Sequence, residues 1–247
     1  LKEKRNGSEK EFEMPENCPV CGNPIRRIDT EAAFRCINPA CGGVVREKLI
    51  HFASRDAMDI EGLGPAVVDS LLAYRLVADA ADFYALKEDD LRQIERMGEK
   101  SAANLITAIR ASKERGLAKL LFGFGIRFLG EKGSELAAHY FHTIDAIMAA
   151  DVETIEETEG IGKITAKSLY DYFHDEKNIE MINKLKNAGV LMDEIKEESE
   201  SGMFSGESVV LTGKLAVMGR REASELIKRL GGTTQSCLLY TSPSPRD

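Results

Sequence analysis

Gly160-Ile161-Gly162-Lys163-Ile164-Thr165-Ala166-Lys167-Ser168-Leu169-Tyr170 is the stretch from which the fold is read. A tight Gly-apolar-Gly turn runs directly into a helical pattern. Ala166, Leu169, Tyr170 and Phe173 fall at i, i+3, i+4 and i+7, one face of an amphipathic helix. The arrangement recurs at Gly62-Leu63-Gly64, Arg96-Met97-Gly98 and Phe128-Leu129-Gly130. Each turn ends in glycine with an apolar residue before it. The last glycines are residues 64, 98, 130 and 162, so the steps are 34, 32 and 32 residues. A fixed period of this size signals a repeated helical unit. After Gly98 the apolar positions Ala102, Leu105, Ile106 and Ile109 repeat the spacing, and Pro65 follows Gly64 at a first helical position. A second helix is expected before each turn, for example over Asp79–Ile94 and Thr143–Thr158.

The physical use of such a hairpin is anion binding. Glycine permits positive φ and close approach of a ligand to the backbone. The first N–H groups of the following helix point outward, with the positive end of the helix dipole behind them. A phosphate fits there without any base being read. Lys100, Lys132, Lys163 and Lys167 lie in the first turns of three of these helices, where lysine is normally disfavoured and an anionic partner explains it. One Gly-apolar-Gly is more often only a turn between packed helices. Four in register resemble the tandem helix-hairpin-helix domains that grip the DNA backbone.

Composition sets the frame for that reading. The 247 residues suffice for two or three small domains, and 43% hydrophobic with 30% charged residues suits a globular chain. The net charge of −8 argues mildly against a nucleic-acid binder, so local charge decides. Between Arg110 and Lys132 lie Arg110, Lys113, Arg115, Lys119, Arg127 and Lys132, against Glu114 and Glu131. Acid gathers in Asp151–Glu159 and Asp193–Glu200. No apolar run is long enough to span a membrane. The chain begins at Leu1 and not at methionine, so its true N-terminus is expected upstream.

Four of the five cysteines cluster. Cys18 and Cys21 frame Pro19-Val20, fourteen residues separate Cys21 from Cys36, and four separate Cys36 from Cys41. Two close pairs across a short β-like stretch fit a tetrahedral four-cysteine zinc site. Gly22, Gly42 and Gly43 are expected to permit the tight turn of each knuckle. With all four positions filled, the role is structural. The alternative is a pair of disulfides in a secreted protein. His51 is not needed as a ligand, and His139, His142 and His174 read as surface or core histidines.

In chain order, residues 1–13 read as the end of a preceding domain, 14–45 as the zinc module, and Arg46–Met58 as a helix leading into the first hairpin. The hairpin domain occupies 46–192 and an acidic linker 193–203. Ser208–Thr212 reads as a strand. Arg220–Leu230 reads as a helix with Ala223, Leu226, Ile227 and Leu230 on one face, ended by Gly231-Gly232, and Thr233-Thr234 opens another strand. This β-α-β opening over 204–236 resembles a BRCT domain that stops partway. Residues 237–247 do not continue the pattern; they look like translated adapter DNA and are set aside, Cys237 included. The fold expected is mainly α: a small four-cysteine zinc module, four tandem helix-hairpin-helix units and a truncated α/β BRCT start.

That order of modules resembles the C-terminal half of the bacterial NAD-dependent DNA ligase family. The match is carried by Phe12-Glu13-Met14-Pro15-Glu16-Asn17-Cys18-Pro19-Val20-Cys21-Gly22 at the zinc finger and by Met58-Asp59-Ile60-Glu61-Gly62-Leu63-Gly64 at the first hairpin. Arg96-Met97-Gly98-Glu99-Lys100-Ser101-Ala102, Gly125-Ile126-Arg127-Phe128-Leu129-Gly130-Glu131 and Val209-Val210-Leu211-Thr212-Gly213 extend it. The resemblance implies a parent enzyme that seals nicks in duplex DNA. A lysine is adenylated from NAD, AMP passes to the 5′-phosphate, and the 3′-hydroxyl displaces it with Mg2+ present. The adenylated lysine belongs to a Lys-x-Asp-Gly motif, and no Asp-Gly pair occurs in this chain. No catalytic residue is therefore assigned, labelled NAD is expected to leave no protein-AMP adduct, and the nucleotidyltransferase and OB domains are expected upstream.

The resemblance makes this stretch a clamp on nicked double-stranded DNA, holding phosphates without reading bases. The expected DNA contacts are Gly62, Leu63, Gly64, Met97, Gly98, Lys100, Arg127, Leu129, Gly130, Lys132, Gly160, Ile161, Gly162, Lys163 and Lys167, and the expected zinc ligands Cys18, Cys21, Cys36 and Cys41. A cytoplasmic monomer is expected. Two other readings stand beside it: the non-catalytic DNA-binding arm of a repair nuclease or scaffold, and a helical protein-interaction domain with a zinc ribbon and no DNA affinity.

Overall fold

The computed structural model describes residues 14–27, 33–95, 97–195, 203–204, 207–213, 215 and 217–235. The expectations for residues 1–13 and 237–247 lie outside them. The chain divides into two compact units, 1–194 and 195–247.

The first unit opens with a minimal antiparallel hairpin, β1 (Ile25–Arg27) and β2 (Phe34–Cys36), in register Ile25↔Cys36, Arg26↔Arg35 and Arg27↔Phe34. Its side chains are mostly exposed, so the strands supply almost no apolar core of their own. Helix α1 (Gly42–Ala53) begins directly after Cys41. It therefore starts earlier, and ends earlier, than the expected Arg46–Met58, and the zinc module's boundary at 45 falls inside it. Gly42 and Gly43 open this helix and do not form a positive-φ turn. Gly43 is small for a packing reason: a Cβ there would stand 3.3 Å from Val20 of the first cysteine knuckle.

Seven further helices follow among the described residues: α2 (Pro65–Ala73), α3 (Glu88–Arg92), α4 (Glu99–Ser112), α5 (Gly116–Gly123), α6 (Glu131–Phe141), α7 (Ile144–Ala149) and α8 (Val152–Glu156). The pair α9 (Lys163–Phe173) and α10 (Glu176–Asn187) completes the unit. The helices expected over Asp79–Ile94 and Thr143–Thr158 are each broken in two. A 3-10 helix spans Ala80–Ala85, held by a capping box of Asp79 and Asp82, and extended Leu86 separates it from α3. Ala150 is likewise extended, and Asp151 caps the new start of α8 by accepting the Thr154 N–H at 2.8 Å.

One apolar core runs through all four hairpins. Phe52 stands inside it, with the rings of Phe83, Tyr84 and Phe124 at 6.3–6.5 Å. The segment after α10 straps across this core. Leu191, Asp193 and Met192 exchange backbone hydrogen bonds with Lys113, Leu117 and Ile144, and Asp193 bridges to Thr143. Glu194 accepts from both His139 (2.8 Å) and His142 (2.5 Å). Burial works against the charged form of Glu194, but those hydrogen bonds and the nearby histidine charges hold its carboxyl below the ordinary value. Asp193 and Glu194, expected in the linker, thus belong to the helical domain.

In the second unit β3 (Ser208–Val210) pairs in parallel with β4 (Thr233–Gln235) across α11 (Arg220–Arg229), the β-α-β expected. Ala223 and Ile227 are buried, while Leu226, expected on the same face, is exposed. Gly231 at φ +83 ends the helix, and a Cβ on Gly232 would strike Ile227 and Phe204 at 2.8 Å.

Candidate nucleic-acid interface

The four cysteines gather directly ahead of α1, with Cys41 as its N-cap residue. The Cys18 and Cys41 sulfurs lie 3.8 Å apart, those of Cys21 and Cys36 3.4 Å, and all four ligand atoms fall within 4.8 Å of one another. These are free thiols, so the disulfide alternative is excluded. Tetrahedral Zn–S bonds of about 2.3 Å place sulfurs about 3.8 Å apart, so the cage has the size of a zinc site. Backbone N–H groups of Cys21 and Val20 lower the Cys18 thiol, and the Asn23 N–H lowers Cys21 to about 6. The Asn38 N–H acts the same way on Cys36, but desolvation and the neighbouring sulfurs outweigh it and push that thiol up to about 12. Deprotonating four sulfurs this close together requires a cation among them. His51 is not a ligand: its Nε2 meets the Phe122 carbonyl at 2.7 Å.

The four turns share one geometry. The apolar residue donates its N–H three residues back: Leu63 to Ile60, Met97 to Ile94, Leu129 to Ile126 and Ile161 to Thr158, at 2.9–3.1 Å. Leu63, Leu129 and Ile161 are buried, each 4–5% exposed, and Met97 is half-buried against the core. These four, expected as DNA contacts, are core anchors, with both the side chain and the N–H engaged inside the protein. Among the described residues, the residue before the apolar one takes positive φ: Gly62 at +86, Phe128 at +62 and Gly160 at +86.

The final glycine of each turn behaves differently. Gly64, Gly98, Gly130 and Gly162 are the N-cap residues of α2, α4, α6 and α9, extended at φ −76 to −88. Any residue can adopt that backbone. A Cβ at any of the four would meet nothing within 4 Å. None of these helix starts has a side-chain cap, whereas Asp79, Thr143, Asp151 and Asp175 cap neighbouring helices with their own oxygens. The fold therefore requires glycine at none of these four positions. A Cβ at each would enter open space beside a helix start that has no side-chain cap.

Family models match the chain in order: the NAD-dependent DNA ligase C4 zinc finger domain over residues 17–42, the SAM-like helix-hairpin-helix tandem over 54–111, and the helix-hairpin-helix motif over 119–182. The chain is 44% identical over 239 residues to a protein named DNA ligase from Clostridioides difficile (strain 630), a match covering 96% of the chain and 35% of that relative. DNA ligases of Shouchella clausii (strain KSM-K16) and Bacillus subtilis (strain 168) match at 45% and 44% over 94% of the chain and 36% of their own length. The chain belongs to the NAD-dependent DNA ligase family. It spans about a third of the length of these relatives.

Within this ligase-family chain the cations divide into two groups. Lys100, Lys132 and Lys163 are exposed in the first turns of α4, α6 and α9. Lys167 is also exposed but shares its charge with Asp171 at 3.1 Å. Most of the basic run from Arg110 to Lys132 serves the fold. Lys113 donates to the Ala188 carbonyl at 2.7 Å, Arg115 faces Asp59 at 3.7 Å, and Lys119 pairs with Glu131 at 2.6 Å. Arg127, expected as a DNA contact, is half-buried with its guanidinium 4.9 Å from the Phe128 ring. Among the described residues no helix is long and apolar enough to cross a membrane.

Proposed function

We propose that this chain is the DNA-binding clamp of an enzyme that seals nicks in duplex DNA, and that it holds the backbone on both sides of the nick. The observation that carries the reading is the set of four extended, uncapped glycine helix starts whose Cβ positions open outward. First-turn amides there would receive phosphates, and Lys100, Lys132 and Lys163 would add charge. Cys18, Cys21, Cys36 and Cys41 would hold one Zn2+, which fixes the cysteine knuckle against α1 and takes no part in bond formation. Sealing would proceed through enzyme-AMP and DNA-AMP with NAD and Mg2+, on residues outside this chain, so the chain alone forms no AMP adduct. The protein would act as a cytoplasmic monomer.

Fluorescence anisotropy on nicked duplexes of two unrelated sequences tests this reading. Equal affinities are expected. With three to five cationic contacts, log K should fall against log salt with a slope of about −2.7 to −4.5. A strong preference for one sequence overturns the clamp, and absence of binding favours the protein-interaction alternative.

A further inference from the structure

Hairpin 3 departs from the pattern at its apex. Where hairpins 1 and 4 place Gly62 and Gly160 at φ +86, hairpin 3 places Phe128 at φ +62. Bulky side chains rarely occupy this left-handed region, and glycine occupies it freely. Burial does not explain the exception, because Phe128 is 42% exposed. The ring is held from its own side of the turn by the Arg127 guanidinium at 4.9 Å. The Phe128 carbonyl accepts the Thr165 hydroxyl at 3.4 Å, which ties this apex to the first turn of α9. The residue just before Thr165 in that turn is Ile164, 57% exposed at the second helical position. Hairpin 1 carries Gly62 and Ala66 at the same two positions. Two large apolar side chains therefore stand on neighbouring turns, beside the uncapped amides at Gly130 and Gly162.

From this we infer that Phe128, braced by Arg127 and flanked by Ile164, is an apolar wedge that enters the minor groove of the bound duplex and partly unstacks one base step. The inference rests on the hairpin clamp reading, which supplies the occupant. Phosphates seated on the amides of α6 and α9 would set the groove floor against these two side chains. Apolar wedges between base steps are a general means of bending DNA from the minor groove. The hairpin 3–4 half would then distort the duplex, while the hairpin 1 turn, with glycine and alanine at those positions, would only hold it. A bent duplex at this point makes the grip depend on local flexibility, which a nick provides and an intact duplex resists.

The test uses the full 247-residue chain with nicked duplexes carrying 2-aminopurine at successive positions. Wild type should raise the fluorescence at one step. Phe128→Gly, which places at this φ the residue that hairpins 1 and 4 use, should melt no lower than wild type. It should lose the fluorescence rise and weaken binding about tenfold. Phe128→Asn, another residue that tolerates positive φ, guards against an effect special to glycine and should behave the same way. Binding by wild type without a fluorescence rise, or a folded Phe128→Gly with unchanged affinity and unchanged rise, overturns the wedge alone. No binding by wild type overturns the clamp reading as well.

Discussion

Replacing Gly98 and Gly162 together by valine separates what the fold needs from what a ligand needs. Both glycines are extended, Gly98 at φ −76, ψ 166 and Gly162 at φ −87, ψ 167, a region that suits a β-branched residue. Neither new Cβ would meet an atom within 4 Å. Valine also narrows the unfolded ensemble, so the double variant should be within about 1 kcal/mol of wild type in stability. Binding should respond very differently. A hydrogen bond from a backbone amide to a charged phosphate contributes about 1.5–3 kcal/mol, and valine methyls in front of the amides would hold the phosphate off. Two blocked hairpins should lose about 3–6 kcal/mol, or roughly two to four orders of magnitude in Kd. Gly160 gives the contrast: at φ +86, with Leu136 at 2.7 Å from a Cβ, Gly160→Val should lower the melting temperature whether or not DNA is present. Thermal melts and anisotropy titrations on a nicked duplex read both quantities. A Gly98→Val, Gly162→Val protein that melts like wild type and binds with unchanged affinity would refute the reasoning.

Other perturbations give equally specific outcomes. Cys36→Ser should abolish binding of the one zinc expected per chain in native mass spectrometry and unfold the 14–41 module, since metal binding at such a cage is folding energy; zinc retained at full occupancy would contradict this. Glu194 contributes stability above its ordinary carboxyl value of 4.5, because its folded pKa is depressed, and that contribution is lost as pH falls through the folded value. Melting temperature should therefore drop on acidification below about pH 4.5, and Glu194→Gln should lower it at neutral pH while flattening the acid limb; a variant with the wild-type profile would show the His139–Glu194–His142 clasp to be inert. Lys100→Ala with Lys163→Ala should make the salt slope shallower by about 1.8 without creating sequence preference, as removal of two phosphate contacts requires.

Much of this architecture was legible because it is local. The 34, 32 and 32-residue steps between glycines mark four helix starts that the structure places at those residues, and the cysteine spacing marks a cage that the sulfur distances bear out. What local pattern could not reveal depends on partners distant in sequence. Lys113 and Arg115 read as free positive charge, yet their partners Ala188 and Asp59 lie 75 and 56 residues away. Asp193 and Glu194 read as the start of an acidic linker, yet the backbone of the strap and two histidines on or next to α6 hold them in place. The two glycines within a Gly-apolar-Gly turn also look alike in sequence. Only the dihedrals show that Gly160 sits at positive φ, where a side chain is strained, while Gly162 is extended. One signal for a broken helix was present: Asp151, a strong capping residue, lies inside the Thr143–Thr158 stretch, and it caps α8 there.

On the clamp reading, a chain with net charge −8 meets a polyanionic partner, an electrostatic difficulty that the hairpin would resolve without a strongly basic surface. Backbone amides carry no net charge, so they add nothing to the chain's charge balance and still present donors and an oriented dipole to a phosphate. Repulsion from acid placed elsewhere fades over a Debye length of about 8 Å at physiological salt. Two of the four helix starts carry an acid in the first turn, Glu99 of α4 beside exposed Lys100, and Glu131 of α6. Glu131, the acidic residue directly after Gly130, is neutralised by Lys119 at 2.6 Å, which converts part of the basic run into local screening. Each repeat thus assigns the apolar turn residue to the core and the final glycine to the exterior. The same three residues can fix a helix pair and leave its amides open, and they can do so four times in one acidic protein.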